Sequence, residues 1–163
     1  MGLTVLAVSF FPCLAAFGQE FCVSTAQELQ DALAVTASND RADTIKVVQG
    51  LYSGNFVYNS SNGYGITVQG GYEAGCTSRS VDPSNTVLDG GGVDRVLTIM
   101  DTNGGDIIVD GLRIQNGRVG ATGGGLLAES SSSGLSGNVV IQNNYITENV
   151  DEGLASGGGV YAN

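Results

Sequence analysis

Asp89, Asp94, Asp101, Asp106 and Asp110 crowd one stretch of the chain, with Arg95 and Arg113 close by in sequence. Carboxylates gathered in space supply the hard oxygen ligands that calcium prefers, so these five are the candidate calcium ligands. A calcium ion held there would bridge the protein to an anionic sugar, and an adjacent arginine would abstract a proton from it. Two aspartates at a suitable separation would instead act as acid and base in glycoside hydrolysis. The spacing selects none of these chemistries and assigns no catalytic residue; exposed turns and solvated strand faces account for the same charges. The chain has no histidine, which excludes a histidine-based triad. With no close cysteine pair either, it offers no zinc site. Gly90-Gly91-Gly92 and the later glycine triplets lack the Lys-Ser/Thr context of a phosphate loop. Ser130 to Ser133 read as a projecting loop, not as nucleophiles.

Six tyrosines are the aromatic candidates: Tyr52, Tyr58, Tyr64, Tyr72, Tyr145 and Tyr161. Outward tyrosines stack on sugars or on partner surfaces. Tyr52 and Tyr58 are the candidate ligand-binding pair, sharing one strand face if no turn intervenes; packing in the core or at a coil edge is the alternative for each. The net charge is −10, from 6 basic and 16 acidic residues. No basic run is present to neutralise a phosphate backbone, which argues against nucleic acid as a partner. Attraction of cations and plain solubility both fit the acidic balance.

These side chains must be placed by short strands. Gly123-Gly124-Gly125-Leu126-Leu127-Ala128 recurs as Gly157-Gly158-Gly159-Val160-Tyr161-Ala162, among β-branched runs divided by Gly, Asn and Asp. Ile45, Ile66, Val87, Ile107, Leu126 and Ile146 open apolar runs about 20 residues apart, the signature of a solenoid. Read as one rung per interval, they predict five or six parallel coils. Alternation within the runs points Ile66, Val68, Leu112 and Ile114 inward and Thr67 and Arg113 outward. Ile114-Gln115-Asn116 resembles Ile141-Gln142-Asn143, and asparagine suits left-handed corners and stacked amide pairs. The serine loop is taken to explain why the two glycine triplets stand further apart than one interval.

Ahead of the strands, Thr25-Ala26-Gln27-Glu28 has capping-box spacing. Leu29, Ala32, Leu33 and Thr36 follow at helical intervals, with Asn39-Asp40 as a stop. A helix within residues 19–42 therefore caps the first coil, and residues 43–163 form the coils. Residues 1–18 read as a signal peptide: Leu3 to Ala16 is apolar, and Ala16-Phe17-Gly18 offers small residues for cleavage. The apolar stretch is shorter than a spanning helix requires. Its removal leaves Cys22 and Cys76. In an oxidising compartment one disulfide is the economical expectation, with isolated buried thiols as the alternative.

The fold class that emerges is an all-β solenoid, a right-handed parallel β-helix with an N-terminal capping α-helix. Gly157 to Ala162 begins another strand without a terminal cover, so truncation of a longer protein is expected. Residues 20–163 resemble the right-handed parallel β-helix superfamily, which includes pectate-lyase-like proteins and bacterial surface passengers. Ile146-Thr147-Glu148-Asn149, with Gly157-Gly158-Gly159-Val160-Tyr161, resembles the repeats of polymorphic outer-membrane proteins, with Ile146 in place of the usual phenylalanine. The resemblance implies export to the bacterial surface, an adhesin-like role toward an extracellular glycan or protein, and a C-terminal outer-membrane β-barrel beyond Asn163. The same superfamily contains polysaccharide lyases, which is the enzyme alternative.

Overall fold

A computed structural model describes residues 18–120, 122–132, 134, 136–153 and 158–163. The expected signal segment, apart from Gly18, lies outside the described residues, as do Ser133 and Gly157. Among the described residues a single helix precedes a stack of parallel strands. The elements are β1 (Glu20–Val23), α1 (Ala26–Ser38), β2 (Asp43–Val48), β3 (Gly50–Ser53), β4 (Phe56–Ser60), β5 (Ile66–Tyr72), β6 (Thr86–Asp89) and β7 (Leu97–Asp101). They continue as β8 (Ile107–Asp110), β9 (Arg113–Gln115), β10 (Arg118–Val119), β11 (Leu126–Ser130), β12 (Val139–Gln142), β13 (Tyr145–Thr147), β14 (Val150–Asp151) and β15 (Val160–Ala162).

Three parallel sheets form the walls of a right-handed β-helix. The first has 5 strands in the order β1-β2-β5-β8-β12; the second runs β13-β9-β6-β3 and the third β15-β11-β7-β4, each with 4 strands. One strand per turn on these two walls makes 4 turns. A short β10–β14 pair fills the corner between the second and third walls.

The strand rule for single residues holds, but the rung interval does not. Ile45 and Ile66 lie on the first sheet with Ile107, whereas Val87 and Ile146 lie on the second and Leu126 on the third. Every wall carries its own apolar run, so the interval is one whole turn from Ile45 to Ile66 but leads to a different wall at Val87, Leu126 and Ile146. Leu126 pairs with Val160 in β15, so the separation of the two glycine triplets is itself one turn. The serine loop is not needed to explain it. Ser130 ends β11 and is buried, its hydroxyl donating to Gly105 O.

Inside, like stacks on like. Ile66 lies over Ile107 and Val68 over Val109 in the first sheet, Leu88 over Ile114 in the second, and Leu97 under Leu126 in the third. All are buried, and each contributes roughly 1.5–3 kcal/mol before chain entropy is counted. The triplet glycines make the coils fit. A Cβ on Gly125 would sit 2.6 Å from Gly159 O, and one on Gly124 would sit 2.7 Å from Val150 O. Gly123 turns the chain at φ 72°, a conformation that a Cβ penalises.

The N-terminal end is closed as the sequence predicts, with one addition. Thr25 Oγ1 accepts from Glu28 N, and Glu28 Oε2 accepts from Thr25 N, completing the capping box. Leu29, Ala32, Leu33 and Thr36 are buried against the first turn. Gln30 reaches the edge of β4, donating to Val57 O and accepting from Val57 N, so that open edge does not recruit another chain. The addition is β1, which sequence reading left without a strand and which extends the first sheet beside β2.

Cys22 and Cys76 form a disulfide, with Cα atoms 5.8 Å apart. It ties the segment after β5 across the outer face of the first sheet. Arg79 in that segment forms an ion pair of 2.9 Å with Asp110. The Tyr72 ring lies beside both Lys46 and Arg79, 5.6 Å and 5.5 Å from their charged groups.

Candidate functional site

The structure separates the five aspartates. Asp89, Asp101 and Asp110 end strands on three different walls, and the chain turns a corner between each. Asp101 points inward, 1% exposed, between the register partners Ser60 and Ser130. Asp94 Oδ1 accepts from Arg95 N, and Asp106 Oδ1 accepts from both Asn138 N and its side-chain amide. Burial pushes the Asp110 carboxyl up, but bonds from Asn143 and Arg79 and the Arg79 charge outweigh it and hold the group below its ordinary value. Among the described residues no three Asp, Glu, His or Cys side chains converge to hold a metal ion. Neighbours in sequence are sent to different faces by the corners between them, so the five aspartates do not form one cluster.

Tyr52 and Tyr58 take the core-packing alternative. A turn at Gly54 separates β3 from β4, and both rings point into the core. Tyr52 is 1% exposed and Tyr58 is 0% exposed, so neither presents a ring to a ligand. Burial, with the charge of Glu28 adding, pushes the Tyr52 phenol up to about 12. Burial also raises the Tyr58 phenol.

What the fold does assemble lies on the outer face of the second sheet. Parallel register sets Leu51, Val87, Arg113 and Tyr145 in one outward row. Ser53, Asp89, Gln115 and Thr147 form the next. Tyr145 is 52% exposed, and the Arg113 guanidinium lies 5.3 Å from its ring centroid, within cation–π range. Arg113 Nε and Gln115 Oε1 are buried without a hydrogen-bond partner in the protein. The Gln115 amide donates to Asp89 Oδ2 at 2.7 Å, the Asn116 amide adds a bond at 2.9 Å, and Gly91 N donates to Oδ1. The Gln115 bond leads in holding the Asp89 carboxyl low against the opposing effect of burial, with Gly91, Asn116 and the Arg113 charge assisting.

A groove of about 420 Å³ adjoins this face, at the corner leading to the third sheet. Gly91, Gly92 and Gly117 line it with backbone, and Asn116, Arg118, Glu148 and Val150 with side chains. Arg118 forms an ion pair with Glu152 on the next turn, its Nε 2.9 Å from Glu152 Oε1. That pair is exposed and holds the Glu152 carboxyl below and the Arg118 guanidinium above their ordinary values. A second groove of about 320 Å³, between β1 and α1, is lined chiefly by Phe21, Val23, Ala32 and Val35. Glu28 and Asp31 also line it, but Glu28 is taken up by the capping box and Asp31 accepts from the Gln27 amide.

Sequence reasoning placed Asp89 and Arg113 in one neighbourhood, and they stand two positions apart on adjacent strands, near enough for the Arg113 charge to act on Asp89. It missed Gln115, Asn116, Arg118 and Glu148 as site residues. The signal was present as an Asn-Gly corner, Asn116-Gly117, directly after a strand, but the turn it stacks on lies far along the chain. The chain matches no protein-family model, no curated protein and no solved structure.

Proposed function

We propose that this chain is an exported β-helical scaffold whose second sheet and adjoining corner groove bind a glycan at the cell surface. The observation that carries the reading is the placement of the half-exposed Tyr145 ring, backed by Arg113, beside a glycine-floored groove lined by amide, carboxylate and guanidinium groups. A sugar ring offers an apolar face to an aromatic side chain. Its hydroxyls both donate and accept, which suits carboxylates and amides set side by side. The groove falls within the volume of small-ligand sites. The disulfide supports an oxidising, extracellular setting, and no described helix is long and apolar enough to cross a membrane. Display by an outer-membrane β-barrel joined to this scaffold is part of the same proposal.

A polysaccharide-cleaving enzyme is the second reading, favoured by one observation: Arg113 and Asp89 stand on adjacent strands of one face. Against it, the Asp89 carboxyl accepts three hydrogen bonds and is held low. A carboxylate stabilised in its charged form is a poor proton shuttle near neutral pH. The test is calorimetric titration of the oxidised protein with neutral, amino-sugar and uronate oligosaccharides, each mixture then assayed for cleavage. Saturable binding without cleavage, lost in Tyr145→Ala and kept in Tyr64→Ala, is expected. Tyr64 is comparably exposed at another corner, so equal losses in the two variants would remove the site from the proposal. Cleavage products would replace binding by catalysis.

A further inference from the structure

We propose that Glu148 is the specificity-determining residue of the corner groove, and that it selects a glycan bearing protonated amines, a hexosamine chain with free amino groups. The proposal rests on the glycan-binding reading above and adds the class of sugar.

Glu148 occupies a left-handed backbone position, φ 57°. Its neighbour one turn earlier, following the Gln115–Thr147 pairing, is Asn116 at φ 56°. Asparagine tolerates this conformation, and its amide is used here on Asp89. Glutamate gains no such compensation: Glu148 is exposed and lines the groove, and its carboxylate makes no hydrogen bond or ion pair among the described residues. A residue suited to the corner would be Asn or Gly, so the backbone is strained in a way that puts a free carboxylate in the groove.

The charges around it set the sign of the ligand. Among the described residues Arg118 is the only cation lining the groove, and Glu152 already neutralises it. Asp89, on the adjoining face, has Arg113 beside it. Glu148 is left as the uncompensated charge, which repels a uronate and attracts an ammonium group. Tyr145 opens the strand that ends at Thr147, directly before Glu148. Three residues apart, at about 3.3 Å per residue, the two positions are separated along the chain by roughly the length of one disaccharide. One sugar can stack on the ring while the amine of the next meets Glu148.

Two variants separate charge from strain. Glu148→Gln removes the charge and keeps the strain, whereas Glu148→Asn removes both. Wild-type protein is titrated with a glucosamine pentamer and with its fully N-acetylated counterpart, at a pH where the sugar amine is protonated. The expected result is roughly fivefold tighter binding of the free amine, as for a solvated ion pair, with the preference lost in both variants. Glu148→Asn alone should raise the melting temperature, by about 2–4 °C. Equal affinity for the two pentamers, or a preference that survives Glu148→Gln, overturns the assignment and leaves glycan binding standing. Binding of neither pentamer nor any other glycan overturns both.

Discussion

Asn144 and Asn149 make the same pair of bonds at successive corners of one turn. Asn144 donates to Val109 O, 35 residues earlier, and accepts from Leu112 N, 32 residues earlier, both at 2.8 Å. Asn149 donates to Ile114 O at 2.9 Å and accepts from Gly117 N at 2.7 Å, with the same offsets of 35 and 32. At a corner the strand ladder is interrupted, leaving backbone groups of the previous turn that need partners. One asparagine amide replaces the missing rung. The expected pairing of stacked amides with each other is thus corrected: these amides bond to backbone. Asn149→Ala should cost about 1–3 kcal/mol, since it strands a donor and an acceptor together. Asn149→Asp keeps the acceptor and loses the donor, and should also destabilise. Urea unfolding measures both.

The strap over the first sheet should make stability depend on acid. The Asp110 side chain is 5% exposed and its partner Arg79 is 19% exposed. Because the folded carboxyl sits below its ordinary value, its contribution is complete above the unfolded value, about 3.9. It is lost as pH falls through the lower folded value. Arg79→Met should destabilise by about 3 kcal/mol near neutral pH, the low end for breaking a buried pair. It should also flatten the loss of stability below about pH 4. Thermal melts across that range check the sign; a steeper acid loss in the variant would contradict it.

Removing the disulfide should loosen the same strap. Cys22 and Cys76 close a loop with a sequence separation of 54, for which the chain-entropy account gives about 4 kcal/mol. Cys22→Ser/Cys76→Ser should therefore unfold at markedly lower urea, and reductant should shift the wild type toward the double variant. An unchanged midpoint under reduction would show that the bond contributes nothing to stability.

Two tyrosines should respond in opposite ways. Tyr58→Ala empties a core position and should cost about 3–5 kcal/mol, as for other large aromatic truncations. Tyr145→Ala removes an exposed ring and should change stability by no more than about 0.5 kcal/mol, while reducing glycan affinity. Stability and affinity measured on the same preparations separate the two roles.

These contrasts mark what the sequence makes legible. The capping box at Thr25 and Glu28, and the inward alternation of Ile66, Val68, Leu112 and Ile114, depend on neighbours a few residues away and are read correctly. So is the parallel stacking, which needs only a recurring apolar run. Which run stacks on which is a different matter. The strap after Tyr72 makes successive turns unequal, so an interval in sequence does not give a position on a wall. Val87 reads as a rung after Ile66 and belongs to another sheet. The site suffers most, because Asp89, Arg113 and Tyr145 meet only through the register of three strands.

In the proposed site, stacking gathers Tyr145, Arg113, Asn116 and Glu148 into one ligand surface. Backbone and side-chain NMR of the labelled, oxidised protein, titrated with a glucosamine pentamer, tests it most directly. Saturable shifts are expected at these four residues and at Gly91 and Gly117, with Lys46 on the first sheet and Asn59 on the third unmoved. Shifts centred on either of those faces, or none at saturating pentamer, would contradict it.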